Sequence, residues 1–372
     1  MSKEMDKATF LNFYKNTALN YSVAMKKAIS RNLEEKKLIT FDPQTTLENQ
    51  PDFPIFLSNK DDTETTIVKT TTDERCSQFY EEWELVKLYK YSVPFFFDTD
   101  KPVEELLEAA KVPKLEKESK ILRVLPAELK DSRPICKKEN DNTILVKFVL
   151  QKSYLDRSTY ETVDYRYPVV IYFDLQNKCL EIRYDAIKNR SYHPNTGDVY
   201  SDIVSYGIKW IKEVLKLQVF KCDYSNAIDK LKTATNDSVK IYRQMMLLNS
   251  GGSADLTAAM DEDSVLPFIG ELRELIDENE ELFNREPEIK ELLISYLDDK
   301  ENTANYPYVY VQWENAVVSQ NYIVKIIFNF SNRKYTVLQH LTGTCKDLEM
   351  GRMNDAIKYL CTSGTIIKGE EL

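Results

Sequence analysis

Between residues 6 and 36 the apolar positions recur at three- and four-residue steps: Phe10, Leu11, Tyr14, Ala18, Met25, Ala28, Ile29 and Leu33. That period predicts a helix. Its second half is basic, with Lys26, Lys27, Arg31, Lys36 and Lys37. From 38 to 73 the chain is polar, with two short β-prone pieces, LITF and TTIVKTTT. Helical patterns return over 77–91 and 102–111, on either side of SVPFFF (92–97), which reads as a buried strand or packed loop. The stretch 111–140 mixes charges of both signs with Pro113, Pro126 and Pro134, the composition of a linker or surface-crossing segment.

Near 143 the period shifts toward two. ILVKFVL (144–150), YETVDYRYPVVIYFD (160–174) and CLEIRY (179–184) predict strands, with Pro168 at an edge, a bend or a break. A polar loop (188–202) leads into a helix marked by Ile203, Val204, Gly207, Ile208, Ile211, Val214 and Leu215. Residues 224–248 read as further helix, and NSGGSAD (249–255) as a helix end and joint. Two more helices follow, one with Leu272, Leu275 and Ile276, the other beyond Pro287 with Ile289, Leu292, Leu293, Tyr296 and Leu297. YVYVQW (308–313), YIVKIIFNF (322–330) and KYTVLQHL (334–341) predict strands, closed by a helix over about 347–361.

Two of these stretches resemble each other. IYFDLQNKCLEI (171–182) and IIFNFSNRKYTV (326–337) lie 155 positions apart, and an amphipathic helix follows each. The fold class expected is α+β, with two similar β-β-β-α modules separated by an acidic helical segment and preceded by a mixed N-terminal region. The expected divisions are 1–140 for that region, 141–250 for the first module with its following helices, 251–303 for the acidic segment and 304–372 for the second module.

Composition narrows the function. No apolar run approaches the roughly 18 residues of a membrane span, and MSKEMDKATF has no apolar leader core, so a cytoplasmic protein away from membranes is expected. Six scattered cysteines fit reduced thiols. There are 9 glycines in 372 residues, and no GxxxxGK[ST], GxGxxG, GxSxG, CxxC or HExxH, which removes the usual nucleotide, hydrolase-elbow and zinc signatures. The net charge of −10 is misleading. Residues 255–301 hold sixteen acidic and four basic side chains, so the rest of the chain is slightly positive.

Those observations favour a non-enzymatic interaction or regulatory protein with a protein partner and no cofactor. The acidic segment, with Glu271, Glu274, Asp277, Glu278 and Glu281, suits a partner with a basic surface. An alternative reading lies in the Tyr/Arg-rich stretch 154–206. Arg157, Tyr165, Arg166, Tyr167, Lys188, Arg190 and His193 are materials for nucleic-acid binding by stacking and charge. Within it, Asp174, Glu181 and Arg183 approximate the two acids and lysine of PD-(D/E)xK nucleases, for which Mg²⁺ would be the cofactor. Arginine stays protonated and cannot serve as a base, which weakens that parallel.

Overall fold

A break at Asn20–Ser22 divides the first helical pattern in two. Asp6 accepts from the Thr9 backbone N–H at 2.9 Å and caps one helix; Ser22 accepts from Met25 N–H at 3.3 Å and caps the next. The computed structural model describes residues 4–41, 54–58, 62–116, 123–187, 196–224, 227–228, 230–231, 239–247, 253–257, 267–303, 305–313, 322–328, 335–341, 350–363 and 365–371. Its helices are α1 (Lys7–Leu19), α2 (Val23–Glu35), α3 (Thr63–Thr71), α4 (Ser77–Val86), α5 (Val103–Ala109), α6 (Thr196–Glu213), α7 (Pro267–Glu278), α8 (Glu280–Phe283), α9 (Pro287–Thr303) and α10 (Gly351–Ser363).

Strands β1 (Ile39–Thr40) and β2 (Ile55–Phe56) make a small parallel pair. Every other described strand joins one antiparallel sheet: β3 (Tyr91–Asp98), β4 (Ile135–Asn140), β5 (Thr143–Leu155), β6 (Thr162–Asp174), β7 (Cys179–Tyr184), β8 (Gln218–Asp223), β9 (Val239–Leu247), β10 (Ser253–Thr257), β11 (Asn305–Trp313), β12 (Tyr322–Ile327), β13 (Val337–Leu341) and β14 (Thr365–Glu371). The spatial order is β10-β9-β11-β12-β13-β3-β7-β6-β5-β4. One edge of β3 pairs with β7. Its other edge is divided, with β13 at Tyr91 and Ser92 and β8 from Phe95 to Asp98, and β8 in turn carries β14.

The protein is therefore mixed α and β around a large antiparallel sheet, with the meanders β5-β6-β7 and β11-β12-β13 flanking β3. Side chains alternate across the sheet. One face carries Val146, Phe148, Ile171, Phe173 and Ile182 in a core closed by Ile203, Val204 and Ile211 of α6. A Cβ at Gly207 would stand 2.7 Å from Ile182 Cδ1, so the absent side chain lets α6 approach the sheet. The opposite face carries Val170, Tyr172, Val324, Ile326 and Leu338 in a core closed by Met353, Ile357 and Leu360 of α10. A third core packs Phe10, Tyr14, Ile29, Ile67 and Trp83 of α1–α4 together.

The two similar hairpins do not pair in equivalent register. Ile171 sits opposite Ile182, whereas Ile326 sits opposite Leu338, one residue beyond the position equivalent to Ile182. Ile171 lies on the α6 face and Ile326 on the α10 face.

Other expectations are corrected. TTIVKTTT is α3, not a strand: Asp62 accepts from Thr65 N–H at 2.7 Å, and that cap outweighs local β preference. In 224–248 the described residues Ala227, Ile228, Lys230 and Leu231 are helical as expected, but Val239–Leu247 is strand β9, and Ser253–Thr257 is strand β10 rather than a joint. Cys179 and Cys361, 182 residues apart, form a disulfide between β7 and α10, while Cys76, Cys136 and Cys222 are free and buried. The SNRK turn and the loop 188–195 lie outside the described residues. No helix among the described residues is long and apolar enough to cross a membrane.

Candidate functional site

Lys147 of β5 and Arg166 of β6 stand on the sheet face opposite α6, where a polar position would meet water if nothing lay above it. Here α1 and α4 do. Lys147 donates to the Glu81 backbone carbonyl at 2.8 Å, to Glu84 Oε2 at 2.9 Å and to the Glu81 carboxylate. Arg166 Nε donates to Glu84 Oε1 at 2.8 Å, and Nη2 donates to Glu81 Oε1 and Glu84 Oε2, each at 2.7 Å. The Tyr14 hydroxyl donates to Glu81, and the Tyr14 ring lies 4.1 Å from the guanidinium carbon. All four charged side chains are buried. Burial alone would raise the Glu81 pKa; Arg166 and Lys147 overcome it and hold the carboxyl down at about 2. Two acids against two bases make a neutral cluster, the only arrangement in which so many charges survive desolvation.

A second buried polar chain runs between the meanders. The Ser92 hydroxyl of β3 donates to Glu181 Oε1 at 2.7 Å, and Arg183 Nε donates to Glu181 Oε2 at 2.9 Å. Arg183 Nη2 reaches Asn354 Oδ1 of α10 at 2.7 Å. His340 of β13 lies 3.1 Å from Ser92 through Nε2 and 3.1 Å from the Tyr322 hydroxyl through Nδ1. Because the Ser92 proton goes to Glu181, Nε2–H donates to Ser92 Oγ and Nδ1 accepts from Tyr322. Burial first, and Arg183 second, push the His340 pKa well below its ordinary value, so the ring is neutral.

These contacts place the candidate acids. Asp174, Glu181 and Arg183 share a sheet face, as their spacing predicts, and all three are buried. Asp174 accepts from Asn177 N–H at 3.0 Å and from Asn177 Nδ2 at 2.7 Å, a turn-closing role. Glu181 is taken by Ser92 and Arg183. Among the described residues no group of three or more His, Cys, Asp or Glu side chains is placed to hold a metal ion.

The nucleic-acid candidates divide. Tyr165, Arg166 and Tyr167 are buried, so they offer no surface for stacking, which corrects the expectation for those three. Sequence reasoning misses this because a tyrosine alternating with arginine reads alike whether or not a helix covers it. Arg157 belongs to the turn between β5 and β6 and is exposed, while Lys188, Arg190 and His193 lie outside the described residues.

The acidic segment is a helical hairpin. Ile276 of α7 and Leu297 of α9 meet Met246 of β9, with Leu272, Phe283, Leu293 and Ile294 packed around them. Arg273 Nη2 donates to Asp298 Oδ1 at 2.7 Å across the pair. Beyond this small core the hairpin leaves large apolar side chains in solvent: Leu292 is 70% exposed, and Leu275, Leu282, Ile289 and Tyr296 are each at least half exposed. Ile289, Leu292 and Tyr296, at i, i+3 and i+7, share one face of α9. Asp277, Glu278, Glu281, Glu288 and Glu291 of the same hairpin are exposed as well. Glu271 and Glu274 belong to α7. The acids were legible in the sequence; the apolar stripe was not, because Ile289, Leu292 and Tyr296 read as core until Leu293, Ile294 and Leu297 are seen to fill that role.

No protein-family model matches this chain, and no curated protein matches it.

Proposed function

We propose that the protein is a non-enzymatic interaction protein whose α7–α9 hairpin docks a basic, amphipathic segment of a protein partner. One observation carries this reading: an apolar stripe stands in solvent on an acidic hairpin whose core, among the described residues, is Met246, Ile276 and Leu297 with their half-buried neighbours. Apolar contact would supply affinity and the acids would steer encounter. The test is fluorescence anisotropy of a synthetic Leu/Lys amphipathic helix titrated with the protein. Saturable binding that weakens with salt, and falls about tenfold or more in Leu292→Ser/Tyr296→Ser, is the expected result. Equal binding by wild type and that variant removes the hairpin from the proposal.

A second reading has its own observation. On β9, β11 and β12 the face away from α10 presents half-exposed Arg243, Tyr308, Tyr310 and Lys325, with Lys325 Nζ 3.6 Å from the Tyr308 ring centre. Tyrosines and cations on an open sheet are suited to single-stranded nucleic acid. Arg243 is also paired with Asp255 Oδ1 at 2.8 Å, which subtracts from the charge available. Gel shifts with single-stranded DNA and RNA, with and without Mg²⁺, test it: retardation lost in Tyr310→Ala supports this reading, and no retardation at low salt ends it. The proposal also keeps the two β-β-β-α modules as similar units, supported by the mirrored strand order about β3 and by α6 and α10 lying on opposite faces.

A further inference from the structure

A cavity of about 530 Å³ opens beside the buried charge cluster, within the range of small-molecule sites. Its walls are mostly apolar, with Leu125, Val149, Trp210 and Val214 contributing. Glu81, Lys147 and Arg166 form its charged floor. The three lysine donors of Lys147 are all engaged. Arg166 differs: it is 2% exposed, its Nε and Nη2 donate to the two glutamates, and Nη1 makes no hydrogen bond among the described residues. Nη1 is not one of the buried unpartnered atoms; it keeps access to solvent, and its two N–H groups are free to meet an acceptor. At the rim Lys111 and Arg133 are exposed and make no ion pair among the described residues, whereas Lys114 is held by Glu108 at 2.6 Å. The floor cluster is neutral, so the unspent charge around the cavity is positive.

We infer that this cavity binds a small amphipathic organic anion, its apolar body against Val149, Trp210 and Val214 and its carboxylate, sulfonate or phosphate group received by Arg166 Nη1 or by the rim pair. The inference is independent of the docking hairpin, since none of these residues belongs to α7, α8 or α9. It assigns the cavity a ligand class, and it gives the unpartnered arginine nitrogen an acceptor.

The test uses the full chain and the fluorescent anion 8-anilinonaphthalene-1-sulfonate, with the uncharged N-phenyl-1-naphthylamine as control. Saturable 1:1 binding of the anion is expected, with displacement by octanoate and weak binding of the neutral compound. Trp210→Phe should reduce energy transfer from protein to probe. In Lys111→Glu/Arg133→Glu, where both changes are at exposed positions and circular dichroism verifies the fold, affinity for the anion should fall about tenfold or more. Binding that is non-saturable, equal for the charged and neutral probes, or unchanged in both variants overturns the inference. Displacement of the sulfonate by octanoate but not by inorganic phosphate would confirm that the apolar body contributes.

Discussion

The two halves of the sheet answer the same problem differently. Around β5, β6 and β7 both faces are roofed, one by α6 and the other by α1 and α4 over Lys147 and Arg166 and by α10 over Val170 and Arg183. Around β9, β11 and β12 α10 roofs one face and α7 and α9 meet β9 at Met246, while the face away from α10 keeps Arg243, Tyr308, Tyr310 and Lys325 half-exposed. Each half places cations on its second face. In the roofed half Lys147 and Arg166 become members of a buried four-charge cluster; in the open half Lys325 and Arg243 lie half-exposed against tyrosine rings. The same residue types, at the same alternation, become structural or superficial according to what the rest of the chain lays above them.

Lys147→Met breaks that contrast hardest. It leaves Glu81 and Glu84 buried with only Arg166 to balance them, and denaturant unfolding should show a loss of about 3–5 kcal/mol. Acid comes next. The folded-state pKa of Glu81 lies near 2 against an ordinary 4.5, so the stability it contributes is complete above pH 4.5 and is lost as pH falls from 4.5 toward 2. His340 is a base with a depressed pKa; its contribution is complete above its ordinary 6.5 and declines as pH falls below that value. Stability measured across pH 7 to 5 should slope downward, and His340→Gln should flatten that part of the curve.

Glycines in the two roof helices offer a milder comparison. Gly207→Ala pushes a methyl group against Ile182 Cδ1, whose side chain is fully buried but has a free end that can shift, and should cost about 1–2 kcal/mol. Gly351→Ala, with nothing within 4 Å, should be neutral or raise the melting temperature slightly. Smallest of all is Lys325→Ala on the open face, within about 0.5 kcal/mol of wild type. A loss there as large as that of Lys147→Met would mean that something covers this face.

Much of this organisation could be read from periodicity. The helices α6 and α10 and the strands β5 to β7 and β11 to β13 follow the apolar pattern, because one face of each meets a core. The capped helix α3 and the strand β9 could not, since a cap and a cross-strand partner act against local preference. The candidate sites divided along the same line. An acidic helical segment is visible in composition alone, whereas the fate of Arg166, Glu181 and Arg183 depends on α1, α4 and α10, elements distant in sequence.

The divided edge of β3 carries a consequence for how the chain is made. Residues 91–98 emerge early in synthesis, yet their outer neighbours are β8 and, some 240 positions later, β13. Until β13 arrives, the backbone groups at Tyr91 and Ser92 have no strand beside them on that side, and an unpaired strand edge invites pairing with another chain. A ribosome-bound or truncated chain ending before residue 337 should therefore lean on chaperones or self-associate, and refolding from denaturant should be slow in proportion to that long closure.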